Sequence, residues 1–357
     1  MLRILFKVLV IFLLIILLGA AALEYRQHQG VHRAMALFNN FEVEPVRDLG
    51  STTTLKILPL VEYRGADPAL KTEVGVSYLI ETDDHRILYD VGHNADGESP
   101  SPLEHNMQAL GIELETIDMV FISHNHMDHV GGMHWQRNNT FSIGREQRPF
   151  PNPATQLVAP DLMSYPGMMT VYADRPMKVG NGVGSTGLAT TGTIPRQLVA
   201  GWIEEHALVV NVEGLGGVLI VACGHQTVPN LLRRYDEAFD EPLYGVLGGL
   251  HFPVPEGRIA LGPIDVQRQL ASGDGLFRPL EMADAQAQIA LLKERRLGIV
   301  GISGHDSSDE VIALAAETFG EAYQHIRVGE AILISAPPSD PAHGDNLAKS
   351  EAALPGR

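Results

Sequence analysis

Three histidines and an aspartate fall within six residues of the stretch "ISHNHMDHVGG", residues 122–132. His124 and His126 lie two apart, so on an extended backbone their side chains point the same way. Asp128 and His129 follow after a turn and can address a second position. Imidazole and carboxylate suit Zn²⁺ and neighbouring divalent ions. Four such groups could not be buried together without a cation or many hydrogen bonds. The alternative is a solvated polar loop. The run before them, "TIDMVFIS", is almost wholly apolar, and Gly131-Gly132 follows. A strand buried on both faces that runs straight into the cluster favours the metal reading.

Three later segments repeat this design. "VLIVACGH" ends at His225, "LYGVLGGLH" at His251 and "LGIVGISGH" at His305. Ligands gather at strand ends in layered α/β proteins. His225 and His305 are thus candidate ligands, though either could be a core histidine. His251 is a candidate for metal or substrate contact or for structural support. Cys223, beside His225, could approach a metal or pack as a small buried hydrophobe. His93, His105 and His134 read as surface or supporting residues.

The elements between these positions alternate strand and helix. "VSYLIET" and "RILYDVG" are strands around a turn. "SPLEHNMQALG" is a helix with Ser101 as cap, Pro102 at its first position, Glu104 completing a capping box and Gly111 as stop. "HALVVNVEGLGGVLIVACGH" is a hairpin turning at "GLGG". Helices follow at about 227–240, 282–296 and 308–319, the last with a Ser307–Glu310 capping box. Residues 138–185 are rich in Pro, Gly, Asn and Met with weak periodicity, which predicts a long lid or substrate loop. The methionines of 163–177 either line a pocket there or pack onto the body.

His124-x-His126-x-Asp128-His129, with Ser123 before it and Gly131-Gly132 after it, resembles the signature of the metallo-β-lactamase superfamily. "LYDVG" resembles that superfamily's early Asp-x-Gly element, in which Asp90 would brace the metal loop from behind. "TTGTIPR", "ACGH", "GGLHF" and "SGHDSS" are similar to the branch containing 7,8-dihydropterin-6-methyl-4-(β-D-ribofuranosyl)aminobenzene-5′-phosphate synthase. The histidines coincide with that branch and their neighbours differ. The resemblance covers roughly residues 55–335. It implies an α/β fold, a four-layer αββα sandwich with the metal site along one edge. It implies two divalent ions, zinc first, with manganese, iron or magnesium as alternatives. His124, His126 and His225 would hold one, and Asp128, His129 and His305 the other. Two such ions can share a bridging hydroxide that attacks a carbonyl or phosphoryl centre, with Asp128 taking a direct part in catalysis.

Composition sets the surroundings. The chain has 357 residues, 45% of them hydrophobic, and a formal net charge of −17 with no basic stripe, which argues against nucleic acid as a partner. Its one cysteine cannot form an internal disulfide. The N-terminus carries Arg3 and Lys7, then an uncharged apolar run from Val8 to Leu23, close to the length that spans a bilayer. The basic residues precede the run, which predicts that the remainder crosses the membrane. Ala20 and Ala22 also stand at signal-peptidase spacing, so a cleaved signal is the alternative. The expected organisation is an anchor or signal peptide at 1–23, a juxtamembrane segment at 24–52, the metallo-β-lactamase-fold domain at 53–337 and a disordered tail at 338–357. The domain is expected outside the cytoplasm, either anchored or exported.

The leading function is hydrolysis of an ester, lactone or phosphoester bond in a small-molecule substrate. A synthase-like transferase is the alternative within enzymes, and a non-catalytic metal-binding sensor the alternative outside them.

Overall fold

The computed structural model describes residues 2–338 apart from 161 and 181–185; the tail expected at 338–357 lies outside the described residues save for Pro338. In chain order the strands are β1 (Thr54–Val61), β2 (Ser77–Glu81), β3 (Arg86–Tyr89), β4 (Met119–Phe121), β5 (Gln156–Ala159), β6 (Met169–Tyr172), β7 (Pro176–Lys178) and β8 (Leu188–Thr191). They continue with β9 (Ile194–Gln197), β10 (Trp202–Glu205), β11 (Leu208–Val212), β12 (Gly216–Val221), β13 (Leu243–Gly248), β14 (Ala260–Leu261), β15 (Ile264–Asp265), β16 (Ile299–Ile302) and β17 (Ile332–Ser335). The helices are α1 (Leu2–Asn39), α2 (Pro102–Ala109), α3 (Met133–Arg137), α4 (Val228–Ala238), α5 (Val266–Leu270), α6 (Met282–Glu294) and α7 (Asp309–Phe319).

A seven-stranded sheet runs β17-β1-β2-β3-β4-β5-β6, antiparallel as far as β3 and parallel from there. A six-stranded sheet runs β16-β13-β12-β11-β8-β7, with β12, β13 and β16 parallel. The period-2 alternation of each strand divides its side chains between two cores. In β12, Val218 and Ile220 meet Tyr89, Phe121 and Val210 between the sheets. Leu219 and Val221 face the other way, against Leu231 of α4 and Ile289 of α6. In β4, Phe121 enters the intersheet core while Val120 packs with Leu103 and Met107 of α2. Each fully buried chain of this kind contributes about 1.5–3 kcal/mol relative to exposure. Helices therefore cover both outer faces, giving the four-layer αββα sandwich.

The α2 capping box forms as expected: Ser101 Oγ accepts from Glu104 N at 3.1 Å and Glu104 Oε2 accepts from Ser101 N at 2.9 Å. Two expectations fail. Residues 138–185 are not one long loop, because β5, β6 and β7 form within them. These strands have three or four residues each, too short to show a period, and β6 is a half-exposed edge. The last helix is capped by Ser308, whose Oγ accepts from Val311 N at 3.2 Å, and not by a Ser307–Glu310 box. Ser307 is occupied elsewhere: its Oγ donates to Asp306 Oδ1 at 2.9 Å.

α1 does not break at residue 23. Its N-terminal part, long and apolar enough to cross a membrane, is exposed throughout from Ile4 to Leu18. The same helix continues to Asn39 and docks on the body through buried Gln27, Ala34 and Phe38.

Candidate metal centre

β12, β13 and β16 are adjacent and parallel, so their C-terminal ends share one edge. His225, His251 and His305 follow these ends within four residues. β4 delivers His124 three residues beyond Phe121 in the other sheet. A buried buttress fixes that exit. His206 Nε2 meets the Ile122 carbonyl at 2.8 Å, its Nδ1 meets Thr190 Oγ1 at 2.7 Å, and its backbone N–H donates to Ser123 O at 3.1 Å.

The ring nitrogens converge. His124 Nε2 lies 3.2 Å from His126 Nδ1, and His225 Nε2 lies 3.2 Å from the same nitrogen. His129 Nε2 lies 3.3 Å from Cys223 Sγ and 3.6 Å from Asp128 Oδ2, and His305 Nε2 lies 3.2 Å from Cys223 Sγ. Three donor groups suited to a cation result among the described residues, Asp128-His129-Cys223-His305, His124-Cys223-His225 and Cys223-His251-Asp306, and all three share Cys223. A tetrahedral zinc site with bonds of about 2.0–2.1 Å places its nitrogen ligands about 3.3 Å apart. The observed spacing matches that edge. The donor chemistry fits as well. Burial first, and then the neighbouring histidines, hold His124 and His225 well below the usual imidazole range; burial does the same for His305, with His129 adding to it. Neutral rings offer lone pairs. Burial would also lower His129, but the carboxylates of Asp128 and Asp90 override it and raise the ring to about 9. A place that draws in a proton this strongly would equally favour a cation. Burial pushes the Cys223 thiol well up, with Asp128 and Asp306 adding to the effect, so its sulfur stays protonated without positive charge beside it.

The far sides of three rings, His124, His129 and His305, are held. Asp90 Oδ2 accepts from His129 Nδ1 at 2.8 Å and from Ser123 Oγ at 2.7 Å, while Oδ1 accepts from Ser123 N at 2.8 Å. Asp90 is fully buried with φ +54°, a left-handed conformation that a non-glycine residue adopts at a cost. Ser123 Oγ also lies 2.9 Å from His124 Nδ1, and Ser303 Oγ 2.6 Å from His305 Nδ1. Such partners fix ring orientation and raise ligand basicity. Asp90→Asn leaves a single acceptor oxygen where three donors converge. It should weaken metal affinity about 10–100-fold, measured by competition with a chromophoric chelator. An affinity equal to that of the unmodified protein would remove Asp90 from this role.

His251 also has a left-handed backbone, φ +54°, and is buried 4.3 Å from the His225 ring, centroid to centroid. Its backbone N–H donates to Asp306 Oδ2 at 2.9 Å, and its two ring nitrogens have no partner among the described residues. It lines the cavity over the site. His93 is half-buried, and His134 is exposed on α3. None of the methionines 163–177 lines that cavity among the described residues; Met163 packs in the outer core beside α2.

Several buried groups were not anticipated. Glu205, at the end of β10, accepts the backbone N–H of Cys223, Gly224 and His225 at 3.0, 2.8 and 2.7 Å. Burial pushes its carboxyl up to about 7 against those three donors. Glu62 receives Ser303 Oγ and the Gly304 N–H. Gln267 donates to His305 O at 2.9 Å. One available signal is the alternation of β10, which puts Glu205 on the same side as Ile203 and so inward. For Glu62 the signal is its place at the exit of an apolar strand.

Above the donors lies a cavity of about 310 Å³, lined by Met127, Met133, Trp202, Ile259, Val266 and Gln267 among others. Asp128 is the one carboxylate among its described lining residues. Residues 70–229 match the family model described as the Metallo-beta-lactamase superfamily. Over those residues the chain is similar to the metallo-β-lactamase superfamily. The metallo-β-lactamase architecture is shared with the solved metal-dependent hydrolase Tm1679 of the β-lactamase superfamily, at 16% identity and TM-score 0.53, over 79% of this chain and 100% of that one. The metallo-β-lactamase fold protein YhfI from Bacillus subtilis aligns at 15% identity and TM-score 0.47 over 79% and 100%. A curated relative, 7,8-dihydropterin-6-methyl-4-(beta-D-ribofuranosyl)-aminobenzene-5'-phosphate synthase of Methanocaldococcus jannaschii, is 36% identical over 91 residues. That match covers 24% of this chain and spans 29% of the relative's length.

Proposed function

We propose that this protein is a membrane-anchored metallohydrolase that cleaves an ester, lactone or phosphoester bond, with residues 53–337 as its catalytic domain. The observation that carries the reading is the meeting at Cys223 of the donor groups Asp128-His129-Cys223-His305 and His124-Cys223-His225, beneath a cavity. His124, His126 and His225 would hold one divalent ion, and Asp128, His129 and His305 the other; Cys223 belongs to donor groups on both sides. Zinc suits this donor set best, and manganese and iron also suit it. When bound, such ions supply a water nucleophile active near neutral pH and a counter-charge for the developing oxyanion. The chain supplies the rest. Asp90, Ser123 and Ser303 fix the ring orientations. Asp128 is the carboxylate placed to hold or pass a proton at the cavity floor. Met127, Met133, Trp202 and Val266 exclude water from the bond being cleaved. Arg3 and Lys7 ahead of the apolar run support a reading in which the domain lies outside the cytoplasm.

The full chain purified in detergent should contain about two divalent ions, measured by elemental analysis, and should turn over bis(p-nitrophenyl) phosphate or p-nitrophenyl acetate. Chelation should abolish turnover, and the metal should restore it. Less than one ion per folded chain would overturn the dinuclear reading. The partial identity to the curated synthase supports a second reading, a transferase acting on a phosphorylated pterin precursor. It predicts turnover of such a precursor and none of either chromogenic ester.

A further inference from the structure

The helix that carries the apolar run is not on a flexible tether. Glu24, the first residue after that run, accepts the backbone N–H of Phe277 through Oε1 at 3.1 Å. Arg26 donates to Val199 O at 2.9 Å, and buried Gln27 donates to Gln197 O at 2.9 Å. Gly30 lies so close to Gln197 that an added Cβ would stand 2.3 Å from its Cγ. The Arg33 guanidinium stacks 5.0 Å above Trp202. With a rise of 1.5 Å per residue, Arg26 lies about 5 Å along the helix from Leu23, and Arg33 about 15 Å.

The residues held at these levels border the metal centre. Val199 leads into Ala200, Gly201 and Trp202, all of which line the cavity. The Ala200 N–H donates to Leu270 O at 2.9 Å, tying this turn to α5, whose Val266 and Gln267 also line the cavity. Phe277, at the level of Glu24, is 71% exposed, and Tyr25 is 69% exposed. A large apolar ring left in water at the foot of a bilayer-length helix, beside a tyrosine and an arginine, has the composition of a membrane interface. The bilayer is the occupant argued by this continuity, because the Glu24–Phe277 bond joins the exposed ring directly to the end of the apolar run.

We infer that the domain rests on the bilayer with Phe277 in the headgroup–acyl boundary, and that the cavity takes its substrate from the membrane as an amphiphile with a hydrolysable head and an apolar tail. This rests on the anchored-hydrolase reading. It goes further by fixing the height and face of the domain, and through them the substrate class. Met133, 43% exposed, with Ile259 and Val266, offers the tail an apolar path from the cavity wall.

The test uses the full chain in phosphatidylcholine nanodiscs. A Phe277→Cys variant carrying an environment-sensitive fluorophore should emit further to the blue than in detergent-free denaturant and be quenched by doxyl-labelled lipid. The same label at Glu115→Cys, on the 3₁₀ turn before β4, should not be quenched. Phe277→Asp should lower turnover of p-nitrophenyl palmitate carried in the disc about tenfold, and leave turnover of aqueous p-nitrophenyl acetate within twofold. A label at 277 that lipid quenchers do not reach, or equal loss on both esters, overturns the inference. If neither ester is turned over, the hydrolase reading fails while the quenching result still decides the docking. If blotting finds the chain off the membrane without residues 1–23, the anchor reading fails and the docking with it.

Discussion

Asp128→Ala should lower kcat by at least about 10³-fold and reduce bound metal from about two ions per chain to about one, with the fold intact. The magnitude follows from what the carboxylate does. Asp128 is the one carboxylate among the described cavity-lining residues, and its Oδ2 lies 3.6 Å from His129 Nε2. Burial alone would raise its pKa, yet His129, His126 and His305 hold it down to about 2, so it is ionised throughout the neutral range. Removing it takes away both a proposed cation ligand and the negative charge that offsets the surrounding rings. A metal's stabilisation of transition-state charge is worth several kcal/mol, and about 4 kcal/mol corresponds to about 10³ in rate. The fold should survive, because Asp128 contributes its side chain to the site and only its backbone carbonyl to the body, accepting from Val76 N at 3.1 Å. The measurements are steady-state turnover of bis(p-nitrophenyl) phosphate, elemental analysis and far-ultraviolet circular dichroism. Asp128→Asn separates charge from shape, and it should retain the fold and lose most of the rate. Turnover unchanged in either variant would remove the mechanism proposed here.

The parts of this centre that could be read from the residues are those placed directly after a buried strand. "TIDMVFIS" and "LGIVGISGH" announce both a strand and its exit, and the exits hold His124 and His305. The αββα layering was legible because apolar strands and amphipathic helices alternate, and because the histidine signature resembles a family with that fold. β5 to β7 were not legible, since three or four residues cannot show a period and an edge strand such as β6 has no buried face to advertise. The supporting carboxylates were hidden for a different reason. Glu204 and Glu205 look alike in "WIEEHALVV", and the fold alone separates them. Glu204 bonds to Trp202 Nε1 at the surface, whereas Glu205 is fully buried and reaches a loop 18 to 20 residues away. The continuity of α1 was obscured by polar residues after Leu23, which mark the end of the apolar run without marking the end of the helix.

Glu205→Ala should destabilise the fold by about 3–6 kcal/mol, a large share of the roughly 5–15 kcal/mol that holds a native domain together. Its two oxygens receive three consecutive backbone N–H groups, from Cys223, Gly224 and His225. These lie at the exit of β12, where all three residues are buried. Truncation leaves three donors without a partner, at about 1–3 kcal/mol each, lessened where water enters the space. Glu205→Gln should cost less. Its carbonyl oxygen can keep the two donors that Oε1 accepts, but its amide group then faces the His225 N–H, donor against donor. Glu204→Ala, a surface change, should stay within about 0.5 kcal/mol. The order Ala, then Gln, then the Glu204 control should appear in urea midpoints of the metal-free protein. The same order should appear in metal affinity, because the turn that Glu205 grips carries Cys223 and His225, and a looser turn displaces both candidate donor atoms from the point where they converge. Glu205→Ala matching the Glu204 control in stability would show that the three amide hydrogens find other partners. A loss of stability without any loss of metal affinity would show that the turn holds its ligands by packing alone.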